Sequence, residues 1–150
     1  MALKPDQVLI VSDINFSMAS AQTKGVLVCY SSTAGYIENK ADPSGAKVAG
    51  ILLVDVRNQD VRDAYGITST TANYSKNQVP ISGKVHLARV GEFLTSDVDS
   101  GDTFAMGNKL YITANGQFSN AQDSSDHEHV GHALAAKDSD GYLRVFVNIQ

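Results

Sequence analysis

Three histidines lie close together near the end of the chain and are the residues best suited to chemistry. His127, His129 and His132 stand within the stretch DHEHVGH, together with the carboxylates of Asp126 and Glu128. Imidazole and carboxylate groups are common Zn²⁺ ligands, and catalytic zinc sites use three such ligands beside one open position. The spacing therefore raises the hypothesis of a small metalloenzyme.

The backbone expected around these histidines argues against that hypothesis. On a regular strand, His127 and His129 project to one side and His132 to the other, so at most two imidazoles share a face. A helix would make His129 and His132 neighbours, but Gly131 and the preceding DSSD disfavour a helix. An aspartate of that loop could complete only a weak surface zinc site. We therefore expect no metal and no cofactor, and a loop that enters a strand.

Other catalytic signatures are missing from the sequence. The Gly-x-Ser-x-Gly nucleophile elbow does not occur. The ISGK at 81–84 resembles the end of a phosphate-binding loop, but Gln78 stands where a glycine belongs and Val85 where the magnesium-binding hydroxyl belongs. The single Cys29 lies in the apolar stretch GVLVCY, which predicts a buried side chain rather than a reactive thiol. We expect a protein that is not an enzyme.

Size and charge limit the partners that the chain can have. Its 150 residues suit one domain with a real core. The net charge is −4, and the 12 Lys and Arg residues are scattered, which is not the basic surface of a nucleic-acid binder. The longest apolar run, VAGILLV at 48–54, is too short to span a membrane. The run VLIV at 8–11 is too short for a signal-peptide core. We expect synthesis in a cytosol, without nucleic-acid or membrane partners.

The periodicity of apolar residues predicts a mainly β protein with little helix. Almost no window repeats apolar residues at helical spacing for more than about ten residues. SMASAQTK at 17–24 could form one or two helical turns. Short runs rich in β-branched and aromatic residues predict a single antiparallel β-sandwich or β-barrel with long loops. The predicted strands are QVLIV (7–11), GVLVCY (25–30), VAGILLVDV (48–56), GKVHLARV (83–90), KLYIT (109–113), HVGHALAA (129–136) and YLRVFVNI (142–149).

Two dipeptides predict tight antiparallel hairpins. Asn115-Gly116 in YITANGQFS supplies the two positive-φ positions of a type I′ turn, and Asp140-Gly141 in AAKDSDGYLRV can do the same. The strand after the second turn alternates cleanly. One face is predicted to carry Leu143, Val145, Val147 and Ile149, and the other Tyr142, Arg144, Phe146 and Asn148.

Six segments, taken in order, resemble the decoration or cement proteins of tailed-bacteriophage heads. They are MALKPDQVLIVSDINF, KGVLVCYS, PSGAKVAGILLVDVRNQD, ISGKVHLARVGEFLT, GNKLYITANGQFS and HVGHALAAKDSDGYLRVFVNIQ. Each segment alone is common among β proteins, so the resemblance depends on their order and spacing along nearly the whole chain. HEHVGH is richer in histidine than expected at that place.

The resemblance implies a structural virion protein that binds the outside of an assembled head and stabilises the capsid lattice. It implies the major capsid protein as partner, a homo-oligomer that is a trimer in preference to a dimer, and a location on the outer capsid surface after synthesis in the host bacterial cytoplasm. The family offers no catalytic motif to carry over. The alternatives are another virion β module, such as a head-fibre base, tail component or receptor-binding domain, and, more remotely, the small His-based metalloenzyme.

The N-terminal residues and one polar loop are the predicted contact regions. Residues 1–16 are predicted to form an extended arm that could add a strand to a neighbouring sheet, with an ordinary first strand of the domain as the alternative, and residues 17–150 are predicted to form the β domain. The polar run at 67–78 is predicted to be a surface loop, and Tyr74 within it and Tyr65 just before it could serve as anchors of the kind that interfaces favour. The predicted capsid or subunit interface residues are Leu3, Pro5, Val8, Ile10, Tyr65 and Tyr74.

Overall fold

The protein is a mainly β domain, which confirms the predicted class. A computed structural model describes residues 11–57, 78–122 and 127–149. Within these ranges the secondary structure consists of short strands and one 3-10 turn, Ala114–Gly116. The strands are β1 (Val11–Asp13), β2 (Ser17–Met18), β3 (Leu27–Tyr30), β4 (Tyr36–Glu38), β5 (Val48–Leu52), β6 (Asp55–Arg57), β7 (Gln78–Pro80), β8 (Leu87–Thr95), β9 (Lys109–Ile112), β10 (Phe118–Ser119), β11 (His129–Ala133) and β12 (Leu143–Asn148).

The strands form one large mixed sheet and one small sheet. The large sheet has the order β10-β9-β11-β12-β8-β5-β3-β4-β2, and β1 pairs with β8 outside this path. Its described pairs are antiparallel except for the parallel pair of β2 with β4. In the small sheet, β6 pairs in parallel with β7. The large sheet does not close into a barrel in the part of the chain that the structure describes, because β10 and β2 stand at opposite ends of its order.

The central strands β3 and β5 bury both of their faces, so a hydrophobic core lies on each side of them. All five residues of β5 are buried, as are Leu27, Val28 and Cys29 of β3. The main core contains Leu27, Cys29, Val48, Ile51, Val98, Phe104, Leu110, Ile112, Phe118, Val130, Ala133, Leu143, Val145, Val147 and Ile149. The second core contains Met18, Val26, Val28, Ile37, Ala49, Leu52, Val54, Val56, Val85 and Leu87. Two layers covering one pair of central strands give a sandwich-like arrangement.

The predicted turn at Asn115-Gly116 joins β9 to β10 at the end of the large sheet. Both residues have positive φ, 58° and 77°, and Phe118 pairs antiparallel with Ile112. The turn packs against β3 and the residues after β4, where the backbone N–H of Asn115 donates to the carbonyl oxygen of Lys40. The turn thus confirms the predicted hairpin and also helps to close the main core.

The predicted turn at Asp140-Gly141 joins β11 to β12, with Ala133 opposite Val145. Only Gly141 has positive φ, 84°, so this turn is not type I′. The carboxylate of Asp138 organises the turn instead, because it accepts hydrogen bonds from the backbone N–H groups of Asp140 and Tyr142. The antiparallel hairpin is confirmed with different turn chemistry.

The helical turns considered for residues 17–24 do not form. Ser17 and Met18 form β2, whose partners are Tyr36 and Ile37 of β4. The backbone N–H of Gln22 donates to the carbonyl oxygen of Val56 at 2.9 Å, and the backbone N–H of Val56 donates to the carbonyl oxygen of Gln22 at 2.8 Å. Backbone groups already bonded to distant residues cannot complete a helical turn.

Several strands were not expected from the sequence or have other bounds. The strands β2, β4, β7 and β10 have two or three residues each and lie outside the predicted runs. The predicted run 48–56 is divided into β5 and β6, and β8 extends to Thr95, five residues beyond its predicted end. Val11–Asp13, within the predicted arm, pairs with β8.

Replacement of Gly116 by alanine should destabilise the fold more than replacement of another left-handed glycine. A Cβ on Gly116 would overlap the carbonyl oxygen of Leu27 and lie 2.7 Å from Nδ2 of Asn39, whereas Gly107, at φ +84°, has open space around it. Gly107→Ala should cost about 1–2 kcal/mol from the backbone conformation alone. Gly116→Ala should cost roughly 1–3 kcal/mol more. Urea unfolding measures both, and equal costs would contradict the close packing of this turn.

Cys29 should react with thiol reagents only after unfolding. Its side chain is fully buried, which confirms the prediction, and burial raises the pKa of the thiol to about 11. Because the thiolate is the reactive species, both access and ionisation oppose the reaction. At pH 8 we expect one thiol to react with Ellman's reagent in denaturant and almost none in buffer. Rapid reaction of the native protein would show that β3 is accessible.

Candidate interaction surface

One face of the sheet, formed by β9, β11, β12 and β8, is turned away from the main core. The alternation in β12 shows this directly, since Leu143, Val145 and Val147 are buried while Arg144, Phe146 and Asn148 are exposed. Tyr142 is also exposed and Ile149 is buried, so the predicted division of this strand between two faces is confirmed. We call the exposed side of these four strands the outer face.

The outer face carries large apolar side chains that the fold leaves in contact with water. Leu94 is 63% exposed, Tyr142 42% and Phe146 38%. In the register of β8 with β12, Leu94 lies opposite Arg144 and Glu92 lies opposite Phe146, so Leu94 is a diagonal neighbour of Phe146. We call Leu94, Tyr142 and Phe146 the outer patch. Clustered exposed apolar residues are more often binding surfaces than singly scattered ones.

An ion pair lies between the members of the outer patch. Nε of Arg144 is 2.6 Å from Oε1 of Glu92, and both side chains are partly exposed. An exposed pair of this kind contributes little to stability, but it gives the patch one basic and one acidic contact point. The patch therefore combines apolar contact area with directional polar groups.

His129 and His132 lie on the outer face beside the patch. Their ring centroids are 5.1 Å apart with the rings at 77°, and the ring of Tyr111 lies 5.6 Å from that of His129. Burial lowers the pKa of His129, and the neighbouring imidazole of His132 acts in the same direction. At neutral pH, the neutral form of His129 is thus favoured.

The expectation that His129 and His132 project to opposite sides was wrong, because β11 contains a β-bulge. Against β9, His129 pairs with Tyr111 and Gly131 with Leu110, so β11 holds one extra residue at this point. A bulge shifts the side-chain alternation by one position. Both imidazoles therefore share the outer face, while Val130 is buried.

His127 is separated from the other two histidines and is buried. Its Nε2 lies 3.3 Å from Oγ of Ser44, and its buried Nδ1 has no hydrogen-bond partner among the described residues. Glu128 contacts the backbone N–H of Val48 and lies 3.7 Å from Nζ of Lys47. These contacts tie residues 127 and 128 to the loop before β5.

The described residues do not bring His127 together with His129 and His132 into the metal site that the histidine spacing suggested. Among the residues in the described ranges, no group of three His, Cys, Asp or Glu side chains is close enough to hold a metal ion. What the outer face offers is a cleft of about 360 Å³ beside the patch. The cleft is lined by Glu128, His129, Gly131, His132, Phe146, Asn148 and Ile149.

The interface residues predicted from the sequence cannot be compared with this surface. Leu3, Pro5, Val8, Ile10, Tyr65 and Tyr74 all lie outside the described residues. The outer patch itself was missed as a site, although the predicted alternation of β12 already placed Tyr142 and Phe146 on the same face of the strand. Leu94 was missed because the predicted strand ended at Val90, whereas the apolar residues of GEFLT carry β8 onward.

No helix in the described part of the chain has the length and apolar character needed to cross a membrane. No curated protein matches the chain.

A model of the phage cement protein family matches residues 46–149, which is more than half of the chain. The matched residues contain β5 to β12 and therefore the whole outer face. The chain therefore belongs to the phage cement protein family.

Proposed function

We propose that this protein binds the outside of an assembled phage head and stabilises the capsid lattice as a decoration protein. The observation that carries the proposal is the family match over residues 46–149, because a phage cement protein is a structural protein associated with the phage capsid. The exposed apolar patch on a rigid sheet supports the same role, since binding a protein surface needs contact area rather than reactive groups.

A decoration protein of this kind stabilises a shell by mass action. If it binds the assembled lattice and not the free coat subunits, its binding free energy is added to assembly. At a thousandfold excess over Kd this is roughly 4 kcal/mol per site. Repeated over many sites, modest contacts produce a strong shell, and catalysis has no part in the mechanism.

The proposed partner is the major capsid protein, and the proposed binding form is a homo-oligomer, a trimer in preference to a dimer. An oligomer that contacts several coat subunits at once gains avidity from each additional contact. We propose that the interface residues predicted from the sequence contact either the capsid or another copy of the chain. They are Leu3, Pro5, Val8, Ile10, Tyr65 and Tyr74.

Among the described residues, the outer patch is the surface best suited to contact the capsid. Leu94 and Phe146 stand on the longest ladder between described strands, in which six residues of β12 pair with β8. The backbone of paired strands is already ordered before binding, so forming an interface here costs less loop ordering than on a flexible segment. The ion pair between Arg144 and Glu92 supplies polar contacts within the same area.

Purified protein should bind saturably to expanded capsids that lack it and should raise the temperature at which they are disrupted. Both effects follow from preferential binding to the assembled lattice. Sedimentation of labelled protein with capsids measures the binding, and light scattering during heating measures disruption. Free coat protein is the control, since the proposal requires much weaker binding to it. Failure to bind depleted capsids would refute the proposed function.

The double variant Leu94→Asp/Phe146→Asp should weaken capsid binding at least about tenfold, because it places charges in an apolar contact. Ile14→Asp is the matched control. Ile14 is 53% exposed but follows the end of β1 that pairs with Leu87, more than about 20 Å along β8 from Leu94. All three proteins should elute as the same oligomer in size-exclusion chromatography with light scattering. Equal capsid binding by the double variant and wild type would exclude the outer patch as the contact.

A further inference from the structure

The outer face presents a pair of imidazoles beside the outer patch. His129 and His132 are both exposed, and the two residues between them, Val130 and Gly131, are buried. Because of the bulge in β11, the two histidines are same-face neighbours, as residues two apart are in a regular strand. The strand that carries them is paired with β9 on one side and with β12 on the other, so its backbone holds the pair in a fixed relation.

The separation of the two rings suits one shared metal ion. A metal ion bound to imidazole lies about 2.0–2.1 Å from the nitrogen, and therefore about 3.2 Å from the centre of the ring. With the tetrahedral bond angles that zinc prefers, two rings on one ion have centres about 5 Å apart. The ring centroids of His129 and His132 are 5.1 Å apart. The spacing is thus already that of two ligands on one ion.

The orientation of the rings can adapt to a shared ion. The ring planes of His129 and His132 meet at 77°. Rotation about the Cβ–Cγ bond turns an imidazole about an axis that passes close to its centre, so the nitrogens change direction while the centre hardly moves. This torsion has broad preferences in histidine, and side chains exposed to water have room to turn. Both rings can therefore direct a nitrogen to the same point.

The groups around the pair favour a site of modest affinity. Burial lowers the pKa of His129, which keeps a nitrogen lone pair available at neutral pH. Lys109 lies opposite His132 in the ladder of β9 with β11, and its ammonium group opposes a cation. Glu128 lines the same cleft, but its carboxylate is engaged by the loop before β5. Among the described residues, the two imidazoles remain as the protein ligands.

We propose that His129 and His132 together bind one divalent transition-metal ion of the class that prefers imidazole, such as Zn²⁺, Ni²⁺ or Cu²⁺. Water fills the other coordination positions in the isolated protein, and the cleft of about 360 Å³ that both histidines line has room for it. Phe146 lies opposite His132, so the ion is held at the border of the outer patch.

This site differs from the three-histidine site considered from the sequence. His127 takes no part, because its imidazole is buried and its Nε2 lies 3.3 Å from Oγ of Ser44. Two protein ligands leave most of the coordination shell to water, which is an arrangement for reversible binding and not for a permanent structural metal. The site is independent of the proposed capsid binding, since either could exist without the other.

Electron paramagnetic resonance of bound Cu²⁺ tests the site on the full-length protein. Cu²⁺ is the probe because it binds nitrogen ligands more tightly than the other divalent ions of its row. Half an equivalent loads the tightest site, and spin-echo modulation from the remote imidazole nitrogens then reports how many imidazoles are bound. We expect two imidazoles on one ion. A count of none, one or three would overturn the proposal, and this count does not depend on the folding of any variant.

Two single variants test whether these are the imidazoles that bind. His129→Gln and His132→Gln should each weaken Cu²⁺ binding at least about tenfold, because the loss of either ligand removes the chelate. The double variant should bind at most about twofold more weakly than either single variant, since the two losses are not additive when the ligands act as a unit. Isothermal titration calorimetry measures all three affinities. Independent, additive losses would show two separate weak sites and would contradict a shared ion.

His86→Gln is the matched control for those variants. His86 is also exposed but lies before β8, outside the pair. Its replacement should leave the Cu²⁺ affinity within about twofold of wild type, because a single exposed imidazole is no chelate. A loss as large as that caused by His129→Gln would place the tightest site elsewhere and overturn the assignment. Wild-type affinity in both His129→Gln and His132→Gln would overturn it as well.

Discussion

The fold depends on the burial of both faces of β3 and β5. A strand with one wet face needs a single covering layer, but all five residues of β5 are buried, and three consecutive residues of β3 are buried as well. Cover must therefore come from two directions. On one side, β12, β11 and β9 bring the main core over these strands, and on the other side β2, β4, β6 and Val85 enclose the second core. The covering strands can be short because each one adds only a few side chains to a core that is already built around β3 and β5.

Close backbone contacts hold these layers in position. The 3-10 turn Ala114–Gly116 rests on Leu27 without room for a Cβ at Gly116. Gly131 is equally confined, since a Cβ there would overlap the carbonyl oxygen of Phe146 and lie 2.9 Å from its carbonyl carbon. The same glycine stands at the bulge that sets His129 and His132 on the outer face. The packing of Gly131 against β12 thus helps to determine which side chains of β11 reach the outer face.

The sequence predicted those parts of the fold whose signals are local. The alternation of residues 142–149 gave both faces of β12, Asn115-Gly116 gave a hairpin, and the apolar setting of Cys29 gave its burial. Features that depend on distant partners were not predicted. Ser17–Met18 becomes a strand because β4 lies beside it, and no pattern within SMASAQTK indicates that partner. The bulge in β11 changes the side-chain alternation without any change in composition, so strand parity placed His132 on the wrong face. At the candidate site, the alternation placed Tyr142 and Phe146 on the same face of the strand, but nothing in the pattern indicated that Leu94 lies beside them.

The six-residue ladder between β8 and β12 also determines how the domain would carry a mechanical load. Leu94 and Phe146 stand on the two strands of this ladder, and the pairs run from Val90 with Asn148 to Thr95 with Leu143. A pull directed along the strands acts on all six pairs at once, in shear, whereas a pull directed across them would open the pairs one after another. In the proposed complex, in which the outer face binds the capsid, tension within the plane of the shell would run along that face. The orientation of β8 and β12 relative to this tension would therefore decide whether the domain resists as a single unit or peels apart from one end.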